Sequence, residues 1–64
     1  MQLNVQKIEE ERNRLGMKKI YFAGHLGLNI SAYGKMLRKK STALSTINKI
    51  AGILNLDPKD LLTN

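Results

Sequence analysis

Interruptions at Gly16, at Gly27, across positions 39–44 and at Asp57-Pro58 cut these 64 residues into five short pieces, too short for long helices or spans. Within each piece the apolar residues recur at three- and four-residue spacing and do not alternate. No run has strand composition bounded by turn chemistry at regular intervals. The expected class is therefore all-α, a single domain over residues 1–64 built from five helices.

The first piece places Val5, Ile8 and Leu15 on one stripe, with Glu9, Glu10 and Glu11 early and Arg12 and Arg14 late, an order that suits the helix dipole. Gly16 stands where a left-handed C-terminal cap is expected. The second piece, residues 19–26, turns Ile20, Ala23 and Leu26 inward and starts badly, because Lys18 occupies the cap position. Asn29 caps a third helix to about residue 38, with Tyr33, Met36 and Leu37 inward and Gly34 costing roughly 1 kcal/mol in its middle. Ser45 is expected to cap a fourth helix that buries Ile47, Ile50, Ala51 and Leu54. Asp57 and Pro58 form an N-cap and first-turn signal for a fifth, supported by Asp60, with Leu61 and Leu62 folding back onto the core.

A chain of this size buries only about 60% of its unfolded surface, but 42% hydrophobic residues suffice for one core. The net charge is +6, and between Arg12 and Leu56 there are nine Lys/Arg residues and no acid. Such a balance calls for nucleic acid, an anionic membrane surface or an acidic protein as partner. A membrane span is excluded by length: the longest run free of charged residues, positions 20–34, holds His25, Asn29 and Ser31, and a span needs about 18–20 apolar residues. The N-terminus lacks the apolar stretch of a signal peptide. No cysteine is present, which fits a cytoplasmic protein. One histidine and five scattered acids give no metal set and no catalytic triad, so neither an enzyme nor a cofactor is expected, and no small-molecule ligand is evident.

The pieces resemble the lambda-repressor-like, Cro/XRE-type helix-turn-helix domains. The matching residues are Leu15-Gly16-Met17, Phe22-Ala23, Leu26-Gly27-Leu28, Tyr33 and Met36, then Ile47, Ile50-Ala51, Leu54, Leu56 and Leu61-Leu62. The resemblance runs from about Ile8 to Leu62. It implies a compact five-helix domain in which helices 2 and 3 form the helix-turn-helix, with small Ala23 at their close approach and Gly27 taking positive φ in the turn. Three positions depart from the family. Leu37 stands where a glutamate usually pairs with a basic residue of helix 1, leaving Arg12 free for phosphate. Lys39 replaces the glycine after helix 3, and Tyr33 is bulkier than the usual Ile or Val.

Double-stranded DNA is then the expected partner, bound by a homodimer with helix 3 in the major groove, about 12 Å wide. Ile30, Ser31, Ala32 and Lys35 would face the bases. Lys35 could donate to guanine, Ser31 donate or accept, and Ile30 and Ala32 meet a thymine methyl. The plainer alternatives are a solvated or phosphate-bound Lys35 and small residues that merely allow close approach. Lys18, Lys19, Asn29, Arg38, Lys39 and Lys40 would grip phosphates. By resemblance the dimer surface involves the helix 3–4 loop and the C-terminal piece, with Leu56, Asp57 and Leu61. The function implied is a sequence-specific transcriptional regulator, a repressor acting by occupancy, in a bacterial or phage-type cytoplasm. An antitoxin-like or protein-interaction module, or the DNA-binding part of a longer regulator, is the alternative, and RNA binding is weaker because only three aromatics are present.

Overall fold

The computed structural model describes residues 2–63. Four α-helices follow one another: α1 (Val5–Arg14), α2 (Lys19–His25), α3 (Ile30–Lys39) and α4 (Leu44–Leu54). A single 3-10 turn, Pro58–Leu61, comes next, and two short strands, β1 (Gln2–Leu3) and β2 (Leu62–Thr63), pair antiparallel with Leu3 opposite Leu62. The molecule is thus mainly helical, but the five-helix expectation is wrong. Asp57 does cap the last piece, its carboxylate accepting from the Lys59 N–H at 3.0 Å, with Pro58 in the first turn. The turn then closes by an Asp60 to Asp57 backbone bond of the i→i+3 kind and stops at Leu61. Beyond it the chain is extended, and strand pairing supplies the hydrogen bonds that another helical turn would have supplied.

Local chemistry sets the other boundaries. Asn4 caps α1 by accepting from the Lys7 N–H. Gly16 and Gly27 take φ of +72° and +75°, so each α-helix they follow ends in the left-handed conformation that glycine adopts without strain. Asn29 caps α3, its side-chain oxygen accepting from the Ala32 N–H at 2.7 Å. Ser45 caps nothing, because α4 begins one residue earlier with Ala43 at the cap position and no side-chain bond there. Burial of the Ile47, Ile50, Ala51 and Leu54 stripe holds this helix without a capping side chain.

The core joins Leu3, Ile8, Phe22, Ala23, Leu26, Tyr33, Met36, Ile47, Ile50, Ala51, Leu54 and Leu61. Ala23 is fully buried, as its expected place at the α2–α3 approach requires. Two expected inward residues face out instead. Ile20 is 62% exposed, because Phe22, Ala23 and Leu26 fix the inward face of α2 and the position in phase with them is Lys19. Leu15 lies one residue past the end of α1 and is also exposed; the inward places on that helix go to Ile8 and Arg12. Leu61, expected on a dimer surface, is wholly inside the core. No helix among the described residues is long and apolar enough to cross a membrane.

Candidate nucleic-acid interface

Helices α2 and α3 are joined by the four residues 26–29, and the Leu28 N–H donates to the Ala23 carbonyl across that turn at 2.9 Å. Phe22 and Tyr33 lock the pair from inside, edge to face, with ring centroids 5.7 Å apart and planes at 81°. With the inner face of α3 committed to Tyr33 and Met36, its first turn is left outside. Ile30, Ser31 and Lys35 are exposed and Ala32 half-buried.

A shallow cleft runs along this outer side, lined by Leu28, Ala32, Lys35, Met36, Lys39, Ser41 and Thr42, with a volume of about 200 Å³. It brings together two expected base-facing residues, Ala32 and Lys35, and one expected phosphate-facing residue, Lys39, over an apolar floor of Leu28 and Met36. Ser41 and Thr42 were not singled out from the sequence. Their signal is slight: two hydroxyl residues directly after the Arg38-Lys39-Lys40 run, in a loop.

The six residues expected to grip phosphates differ in what else they do. Lys18, Arg38, Lys39 and Lys40 are exposed, and no side-chain partner engages them among the described residues. Lys40 ends α3 in the left-handed conformation at φ 54°, while its own carbonyl accepts from the Leu3 N–H. The Asn29 side chain is occupied as a cap, although its backbone sits at the helix start. Lys19 is turned toward α1, its Nζ 3.6 Å from Glu9 Oε1.

Arg12 corrects the sequence reading most sharply. It is not free for phosphate but 6% exposed. Its Nε donates to Glu9 Oε2 at 2.7 Å and its Nη1 donates to the Met17 carbonyl. The Tyr33 hydroxyl donates to the same Glu9 oxygen at 2.9 Å. One carboxylate therefore serves α1, α2 and α3. Burial pushes the Glu9 carboxyl up, but the hydrogen bonds from Arg12 and Tyr33 and the charges of Arg12 and Lys19 outweigh it and hold the group below its ordinary range. Burial, and then the bond to Glu9, push the Tyr33 phenol well above its ordinary value, so it is the donor in this pair. The bond to Glu9 raises the Arg12 guanidinium further despite burial.

Comparison with protein-family models, with curated proteins and with solved structures returns no match to this chain.

Proposed function

We propose that this chain is a Cro/XRE-type regulator that binds double-stranded DNA sequence-specifically, as a homodimer on a palindromic operator, and represses by occupying the promoter. The α2–α3 pair is its helix-turn-helix, and α3 enters the major groove by its N-terminal turn. The observation that carries this reading is the pairing of an almost uncharged exposed helix start, Ile30-Ser31, with unpaired cations on both sides of it, Lys18 before and Arg38, Lys39 and Lys40 after. Basic residues alone would serve any polyanion. The uncharged turn between them gives bases something to meet other than charge.

In this reading Lys35 donates to a purine edge, Ser31 and the apolar pair Ile30 and Ala32 contact bases, and Ser41 and Thr42 join Lys39 on the backbone. The setting is a bacterial or phage-type cytoplasm.

Selection of bound duplexes from a random-sequence library, with the natural chain and with Lys35→Ala, tests the proposal. A palindromic motif that relaxes at specific positions in the variant is the expected result. Enrichment of no motif by the natural chain would leave only non-specific polyanion binding and defeat the reading.

A further inference from the structure

Among the described residues Glu9 is the acid that touches the candidate interface from behind, and it does two opposite things there. Through Tyr33 it holds the helix that carries Ile30, Ser31, Ala32 and Lys35, the hydroxyl standing one turn past the start of α3. Through Oε1 it stands against Lys19, whose side chain remains half-exposed beside unpaired Lys18. Arg12, itself anchored on the Met17 carbonyl, fixes this carboxylate in place, so it is not a mobile surface acid.

Resting on the DNA-binding reading above, we propose that Glu9 is a positioning residue that trades affinity for discrimination: it sets the pose of the reading helix through Tyr33 and withholds Lys19 from the phosphates. A charge already compensated by a neighbouring carboxylate releases little when a polyanion arrives, whereas a free lysine contributes its full share of counterion release. Lys18 and Lys19, adjacent in sequence and identical in type, therefore differ in function. Reading is affected from the other side. Without the hydroxyl-to-carboxylate bond α3 keeps its packing on Phe22 but loses a polar tie that orients it on α1.

The experiment compares binding to heparin and to random and selected duplexes across a salt series. Lys18→Ala is expected to flatten the heparin salt slope by the share of one ionic contact, and Lys19→Ala by much less. Equal losses from the two lysines overturn the proposal, and neither exposed substitution endangers folding. Glu9→Gln is expected to bind heparin more tightly with a steeper slope, and an unchanged or weaker interaction in a folded variant also overturns it. Tyr33→Phe keeps every charge, so its heparin slope should match the natural chain while its preference for the selected duplex falls roughly two- to tenfold, the worth of one hydrogen bond. Intact preference overturns the positioning role. If the natural chain discriminates no duplex at all, the DNA reading fails, while the heparin comparison of the two lysines still decides whether Glu9 withholds Lys19.

Discussion

Replacing Arg12 by methionine would keep its apolar stem but remove the cation that Glu9 and the Met17 carbonyl share. Breaking a fully buried pair costs about 3–5 kcal/mol, but the Glu9 side chain is 24% exposed, so water takes up part of the loss. The expected cost is about 2 kcal/mol, a fall in melting temperature of roughly 10 °C for a domain this small. Thermal unfolding checks it, and a shift under 2 °C would mean the pair contributes nothing. The same carboxylate sets a pH dependence. The folded value lies below the unfolded one near 4.5, so the stabilisation is complete at neutral pH and is lost as pH falls below 4.5 through the lowered value. Melting temperature should drop between pH 5 and pH 3, and Glu9→Gln should flatten that drop in part. The flattening is partial because Glu11, bonded to Arg14, is lowered as well. None of this node was legible in the sequence. Its members Glu9 and Tyr33 stand 24 residues apart, and a buried arginine at position 12 looks, by composition alone, like one more surface cation.

Helix boundaries behaved differently, because caps are made by near neighbours. Asn29, Gly16, Gly27 and Asp57 were placed correctly by the backbone geometry each side chain permits. Ser45 failed because burial of a stripe overrode the local preference. For Asn29 the two roles assigned to it separate cleanly: Asn29→Ala should cost about 1 kcal/mol in denaturant unfolding and leave the affinity of the folded variant for random duplex unchanged, since the side chain is committed to the Ala32 N–H. A loss of affinity that is uniform across sequences would restore it to the phosphate set. Lys40 tests the other end of α3. The family's glycine was expected at position 39, but the left-handed residue is Lys40, where a side chain is strained. Lys40→Gly should therefore raise stability by about 1 kcal/mol while reducing the magnitude of the salt slope by about 0.9. Stability and binding moving in the same direction would contradict the separate roles.

The whole molecule has a radius of gyration of 10.4 Å, close to the roughly 10.7 Å expected of a compact chain this long. The segments 2–4 and 61–63 close it. Strand β1 meets β2, the Leu3 N–H donates to the Lys40 carbonyl, and the Asn4 N–H donates to the Leu61 carbonyl at 2.7 Å. Pairing between positions 2–3 and 62–63 leaves no periodic trace, since two residues are too few to show alternation. The sequence accordingly offered a fifth helix where the structure has a turn and a strand. The consequence reaches the candidate interface, because Lys40 is both the end of α3 and the partner of Leu3. Leu3→Ala removes a side chain that is 2% exposed in the core and should cost about 2–3 kcal/mol. Melting temperature should fall by more than 8 °C. At a temperature where the variant stays folded, the amides of Leu3 and Asn4 should exchange faster relative to those of α4 than they do in the natural chain. An unchanged melting temperature would show that the strand pair lies outside the cooperative unit, with α3 anchored by Tyr33 and Met36 alone.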